Sequence, residues 1–291
     1  MAINYANKVV AITGAGKGLG RAYALHLAGL GARIVVNNRT HEGETDSSAD
    51  RVVAEIVELG SAAVADYSSV EDSDAGERLL ATALSEFGQL DSLVANAGVI
   101  ENRSFYKQTL AGIKDVLDIN LMGTVNVVHP VFRHMCDEQR GSIVVSTSSA
   151  GLFGGFGLPA YSASKAAVLG LMYSLSIEGA RKNVSVNAIS PYATTQMTAE
   201  HLAPAVAERM VPEAVAPALA WLASGEVSGE ILVAGGGRVG RARMQTTVPM
   251  DVGDEQLDWQ QLSALPLEVR FPSAGDHFQD FSSGSTSGSG G

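Results

Sequence analysis

With 291 residues, 46% hydrophobic and 18% charged, the chain is long enough for one sizeable α/β core or two small domains. Its 31 acidic and 20 basic residues leave a net charge of −11, and no apolar run is long enough to span a bilayer, which argues against nucleic acid or a membrane as partner. The lone cysteine, Cys136, excludes an intramolecular disulfide and a cysteine-rich zinc site.

The first element, KVVAITG from Lys8 to Gly14, reads as a buried strand that runs straight into a glycine-rich loop and a helix, GAGKGLGRAYALHLAGLGA. The loop does not follow G-x-G-x-x-G, because position 19 is Leu19. It follows T-G-x-x-x-G-x-G through Thr13, Gly14, Gly18 and Gly20. Glycines let the backbone approach a pyrophosphate, whose charge is stabilised by the free N–H groups and positive end of the next helix.

Strand and helix patterns then alternate. ARIVVNN is followed by a helix from about Ser47 to Leu59, AAVADY by a helix from about Asp72 to Phe87, and DSLVANAG by helices over Leu110 to Asn120 and Gly123 to Glu138. SIVVS is another buried strand, ending in the polar cluster STSSAG, and PAYSASKAAVLGLMYSLSIEG is a helix opened by Pro159. NVSVNAIS, a helical region from about Val211 to Ala223, and the strand EILVAGG complete the pattern. This is the βαβ rhythm of an α/β fold, a parallel sheet with helices on both faces. Residues 1–239 are expected to form that domain, 240–281 an extension over the core or a partner subunit, and 282–291, only Ser, Thr and Gly, a flexible tail. The start, MAINYANKVV, lacks a signal peptide's basic-then-apolar layout, so a cytoplasmic protein is expected.

The chemistry concentrates between Gly141 and Lys165. Tyr161 and Lys165 are four apart and fall on one helical face. A free phenol has a pKa of about 10, so it works near neutral pH only if a neighbouring positive charge stabilises its phenolate. Ser148, at a strand's C-terminal end, faces the crevice where open α/β sheets bind ligands and can meet the tyrosine over a substrate carbonyl. Taken singly, a Y-x-x-x-K pair arises by chance, and serines after strands are usually turn formers. The histidines, His26, His41, His129, His134, His201 and His277, show no metal-ligand spacing, so no metal is expected.

Five motifs coincide in order: TGAGKGLG, NAG at Asn96 to Gly98, Asn120 within DINLMG, Ser148, and YSASK at Tyr161 to Lys165. The chain thereby resembles the short-chain dehydrogenase/reductase family over residues 5 to 236. That resemblance implies a Rossmann-type doubly wound sheet of about seven strands in the order 3-2-1-4-5-6-7, hydride transfer to or from nicotinamide C4, and a homodimer or homotetramer. It implies that Tyr161 is the proton donor or acceptor and that Ser148 binds the substrate oxygen. Lys165 would lower the tyrosine pKa and hold the nicotinamide ribose, with Asn120 anchoring a water relay to Lys165. Coenzyme contacts are implied at Gly14, Lys17, Gly18, Leu19, Gly20, Asn38, Arg39, Asp66, Asn96, Gly98, Tyr161, Lys165 and Thr195.

Within the family the chain is most similar to the (3R)-hydroxyacyl-CoA dehydrogenase unit of multifunctional β-oxidation enzymes, through GLGRAYAL, RSF, SLSIEG, PYATTQMT and GGGRVGRAR. The substrate implied is a 3-hydroxyacyl or 3-ketoacyl thioester. A steroid or other bulky secondary alcohol needs the same catalytic residues, and a non-catalytic nucleotide-binding protein needs none of them. Ala95 and Tyr192 depart from the family pattern, and Thr195 is chosen by counting back from Met197 and Thr198. Arg238, Arg241 and Arg243 suit coenzyme A phosphates, or are ordinary surface charges. Asn38 stands where NAD-preferring relatives carry aspartate. With Arg39 next to it and Lys17 in the loop, NADP(H) is favoured over NAD(H); the alternative has both cations in solvent and Asn38 bonding the ribose neutrally.

Overall fold

The computed structural model describes residues 3–40, 47–195, 204–250, 258–267 and 271–283. The chain divides into two compact units, Met1–Arg241 and Ala242–Gly291. Eight strands, β1 (Val9–Thr13), β2 (Arg33–Asn37), β3 (Ala63–Asp66), β4 (Ser92–Ala95), β5 (Gly141–Ser146), β6 (Val184–Pro191), β7 (Ile231–Gly235) and β8 (Arg238–Ala242), form one sheet in the order β3-β2-β1-β4-β5-β6-β7-β8. β1 to β7 pair in parallel, with Ile12 opposite Val36 and Val94, and Val144 opposite Val94 and Asn187. Nearly every residue of β1, β4 and β5 is buried, as a sheet covered on both faces requires.

Helices α1 (Gly18–Gly29), α2 (Ser48–Glu58), α3 (Ala75–Phe87), α4 (Leu110–Leu117), α5 (Gly123–Glu138), α6 (Ser149–Phe153), α7 (Pro159–Ala180), α8 (Pro204–Ala207) and α9 (Ala216–Ala223) surround the sheet. Tyr23 and Leu27 of α1, Val52 and Ile56 of α2, and Leu219 and Leu222 of α9 share one apolar cluster with Ile12, Ile34, Val94, Val144 and Ile189. α7 buries Ala160, Ser164, Val168 and Met172 at four-residue intervals, and beside them Lys165 and Leu169. That stripe fixes the azimuth of the whole helix, and so points Lys165 inward.

Chain order reverses between β3, at one edge, and β4, beside β1. Such a switch point leaves a crevice above the carboxyl ends of β1 and β4, and the glycine loop opens onto it.

Three local features differ from the pattern read in the sequence. The helix predicted through Asn120 ends at Leu117 and passes into a π-helical turn, Asp118–Met122, whose Asn120 carbonyl accepts the Thr124 hydroxyl at 2.8 Å. The STSSAG cluster, read only as the polar end of a strand, leads into α6, a helix that the sequence pattern did not show. An eighth strand follows Gly236 and Gly237, whose φ values of 56° and 75° build a two-residue turn that only an antiparallel hairpin accommodates. The hairpin carries Arg241 back toward the start of β7, where Nη2 meets Glu230 Oε1 at 2.7 Å and Nε meets Oε2 at 3.1 Å. Arg241 is therefore paired at the strand end opposite the crevice, not available there for coenzyme A phosphates.

In the second unit, Asp258 caps α10 (Trp259–Ala264) by accepting from Gln260 N at 2.8 Å, and α11 (Ala274–Ser283) follows. Phe271 packs edge-on to His277, ring centroids 4.8 Å apart. Residues 284–291, most of the predicted Ser/Gly tail, lie outside the described residues, as do Met197 and Thr198. Among the described residues no helix is long and apolar enough to cross a membrane, and no cluster of His, Cys, Asp or Glu suits a metal.

Candidate active site

The floor of the crevice is a latch between β1 and β4. The Thr13 hydroxyl accepts from the backbone N–H groups of Asn96 and Ala97, both at 3.0 Å, and Asn96 Nδ2 donates to the Thr13 carbonyl at 3.0 Å. Asn96 thus holds two loops together. Above it α1 begins without a capping side chain, Lys17 standing extended and exposed at the N-cap. Its first N–H groups are left for an anion, the donor chemistry that a pyrophosphate needs. Gly20 is required by close approach, since a Cβ there would be driven into the carbonyl of Gly14. Gly20→Ala is expected to weaken coenzyme binding at least tenfold and to cost about 1–3 kcal/mol of stability, read by coenzyme titration and denaturant unfolding.

A cleft of about 470 Å³ runs from this loop across the switch point. Gly14, Lys17, Gly18, Leu19, Gly20, Asn38, Arg39, Asn96, Gly98 and Thr195 line it, and a Cβ on Gly18 would meet Thr195 Cγ2 at 3.5 Å. Its volume and its mixed lining fit a dinucleotide that lies partly in solvent.

Asp66 does not line the cleft. Its carboxylate accepts from Asn37 Nδ2 (2.6 Å), Ser68 N (3.1 Å), Ser68 Oγ (3.3 Å) and Thr82 Oγ1 (3.3 Å), so it braces the wall behind. Asn37 and Ser68, which sequence patterns did not single out, are the residues it presents to the cleft. Asn38 Nδ2 donates to Ser48 Oγ at 2.8 Å and to the Arg39 carbonyl at 3.2 Å. Arg39 is not a free cation, because its Nη1 lies 2.7 Å from Glu71 Oε2, with both side chains about half exposed. Glu71 was invisible to motif reading, as it stands 32 residues from Arg39 in sequence.

At the other end of the site, Ser148 stands beside Tyr161, and its Oγ caps α6 by accepting from Ala150 N at 3.2 Å. Burial pushes the Tyr161 phenol above its ordinary value, and the Ser148 hydroxyl pulls it partly back. The fully buried Lys165 is pushed down to about 8 by loss of solvent. Its Nζ donates to the Ser146 carbonyl at 2.9 Å and lies 5.8 Å from the Tyr161 ring centroid. The net shift of the phenol in this arrangement is upward, set by its burial.

Asn120 is completely buried. Its Oδ1 accepts from Val99 N (2.7 Å), and its Nδ2 donates to Val99 O (2.9 Å) and Ser164 Oγ (3.1 Å); Ser164 in turn donates to the Tyr161 carbonyl at 2.7 Å. The side chain thus ties the loop after β4 to the turn of α7 that carries Tyr161, and makes no direct bond to Lys165. The two approach each other only beside Gly98, where a Cβ would lie 3.0 Å from Asn120 Oδ1 and 3.3 Å from Lys165 Nζ. Thr147 Oγ1 donates to the Lys165 carbonyl at 2.9 Å, a further tie that sequence reading missed. A hydroxyl pair backed by a buried amine can bind and protonate a carbonyl oxygen.

The family model for short chain dehydrogenases matches residues 8–205. A short-chain type dehydrogenase/reductase of Mycobacterium tuberculosis is 39% identical over 271 residues, 89% of this chain and 95% of that protein. The peroxisomal multifunctional enzyme type 2 of Mus musculus is 40% identical over 252 residues; these are 84% of this chain but 34% of the mouse protein, so the chain spans about a third of that relative. The crystal structure of a short chain dehydrogenase from Mycobacterium avium superposes with a TM-score of 0.78 at 34% identity, covering 90% of this chain and 93% of the other. By these matches the chain belongs to the short-chain dehydrogenase/reductase family and is an NAD(P)-dependent oxidoreductase.

Proposed function

We propose that this enzyme interconverts a 3-hydroxyacyl thioester and its 3-ketoacyl counterpart, with NADP(H) preferred over NAD(H). The carrying observation is that Tyr161 stands beside Ser148, with the buried Lys165 on the same helix and its Nζ 5.8 Å from the Tyr161 ring centroid. The coenzyme supplies or accepts the hydride. Ser148 orients the substrate oxygen, and Tyr161 donates its proton in reduction or receives one in oxidation. Lys165 offsets the negative charge that Tyr161 acquires when it gives its proton up. Asn120, through Ser164, holds the backbone of Tyr161 in place.

The thioester rests on the similarity to the mouse multifunctional enzyme and on the phrases shared with the hydroxyacyl-CoA dehydrogenase unit. A panel of acyl-CoA thioesters, steroids and simple ketones should give the highest kcat/KM for a 3-ketoacyl or 3-hydroxyacyl thioester; a steroid that outranks every thioester overturns this assignment. A cytoplasmic homodimer or homotetramer completes the reading, and light scattering on the purified protein tests the assembly.

The coenzyme preference rests on three residues lining one end of the cleft: neutral Asn38, Lys17 and Arg39. The Arg39–Glu71 pair does not forbid it. A half-exposed ion pair contributes only about 0–1 kcal/mol, and a phosphate offers the guanidinium a more highly charged, fork-matching acceptor than a carboxylate held through one nitrogen, so it can displace Glu71. The expected result is a higher kcat/KM with NADPH than with NADH under matched conditions. Asn38→Asp with Arg39→Leu should move that ratio toward NADH by at least about tenfold. A higher efficiency with NADH in the parent protein rejects the preference.

A further inference from the structure

We propose that Glu71 is the coenzyme-selecting acid of this chain, a carboxylate that competes with a ribose 2′-phosphate for Arg39 and accepts from ribose hydroxyls when no phosphate is present. The proposal deepens the coenzyme reading above and rests on that assignment of the cleft.

The geometry points to Glu71 for three reasons. Its side chain and that of Arg39 line the same cleft as Lys17 and Asn38, and Arg39 Nη1 lies 2.7 Å from Glu71 Oε2. The pair therefore joins the loop after β3 to the end of β2. The backbone beneath Glu71 is held from behind: Asn126 of α5 donates to the carbonyls of Val70 at 3.0 Å and Glu71 at 3.4 Å, and Ser69 Oγ accepts from Glu71 N at 3.4 Å. The acid is thus presented on a braced segment rather than on a free loop. Finally, the chain has no acid at position 38, whose amide is occupied by Ser48 and the Arg39 carbonyl. Glu71 returns a negative charge to that end of the cleft from the loop after β3.

The two ligand forms then meet different arrangements. With a bare ribose, the Arg39–Glu71 pair can remain closed, with the carboxylate's spare lone pairs open to hydroxyl donors. With a 2′-phosphate, Arg39 exchanges one anion for another, and Glu71 is left as an unpaired like charge beside the phosphate. Glu71 therefore lowers the discrimination that Lys17 and Arg39 would otherwise give, and its removal sharpens it.

The test measures dissociation constants of NADPH and NADH by fluorescence titration, and of adenosine 2′,5′-bisphosphate and 5′-AMP by calorimetry, for the parent, Glu71→Gln, Arg39→Leu and the double variant. Glu71→Gln should shift the NADPH/NADH affinity ratio about tenfold toward NADPH, equivalent to about 1.4 kcal/mol. The bisphosphate should gain correspondingly over 5′-AMP. In the Arg39→Leu background the Glu71 effect should shrink, because the competition for Arg39 is gone. An unchanged ratio in Glu71→Gln, with melting temperature preserved, overturns the proposal, as does an effect of the same size with and without Arg39. Should Glu71→Gln fold poorly, Glu71→Ser supplies the same readout. The two readings fail separately: a parent that prefers NADH but shifts tenfold on Glu71→Gln refutes the preference and keeps Glu71, whereas a parent that prefers NADPH with no shift does the reverse.

Discussion

Tyr161→Phe is expected to lower kcat by about 10²–10⁴-fold, the usual contribution of a positioned acid or base, while coenzyme still binds. The substitution keeps the ring, which is mostly buried beside Ser148 and Lys165, and deletes only the transferable proton. Ser148 keeps its bond from Ala150 N in that variant, so a second variant is informative. Ser148→Ala should lose less than Tyr161→Phe, because the tyrosine still protonates a less well-oriented oxygen. Steady-state turnover with coenzyme affinity measured separately by titration reads both effects. Near-parental turnover in Tyr161→Phe removes the tyrosine from the chemistry.

Elements with strong local signals were legible in the sequence. β1, the glycine loop and α1 come from an apolar run followed by glycines, and α5 spans Gly123–Glu138 as its periodicity predicts. What escaped reading depends on contacts between distant segments. α6 was not read from the sequence, because STSSAG is rich in small polar residues and shows no helical period. It is a helix because Gly151 lets it press against α7, where an added Cβ would come within 2.8 Å of the Lys165 carbonyl carbon. The π-helical turn at Asn120 is likewise tertiary in origin, since the amide is bound to Val99 and Ser164.

The same distinction runs through the site. Tyr161, Lys165 and Ser148 are close in sequence, and their proximity follows from one strand, one short helix and one long helix. Arg39 and Glu71 meet because β2 and β3 are neighbours in the sheet, and neither residue's type announces the pairing. Asp66 is a related case. Four donors converge on its carboxylate, and only the fold reveals that Asn37 and Ser68, two residues that supply three of those bonds, line the cleft.

Lys165→Met should abolish most turnover, by at least about 10²-fold, and weaken coenzyme binding, while changing how stability depends on pH. Lys165 binds its proton less tightly in the folded protein, where its value is about 8, than in the unfolded chain, where it is 10.5. Between those values the unfolded chain holds more protons, so stability rises with pH across that window. Below about 8 the folded protein bears the full cost of a buried ammonium, and above 10.5 it bears none. The difference corresponds to roughly 3 kcal/mol at about 1.4 kcal/mol per pH unit. Methionine keeps the length of the chain and has no proton to lose. The parent should therefore gain stability relative to Lys165→Met as the pH is raised from 7.5 to 10.5, most of it above pH 8, in denaturant unfolding of both proteins. Subtracting one curve from the other cancels the tyrosines and lysines the two share. A flat difference across that range means that the ammonium reaches solvent, and with it falls the picture of a dry amine held behind Tyr161 by the Ser146 carbonyl.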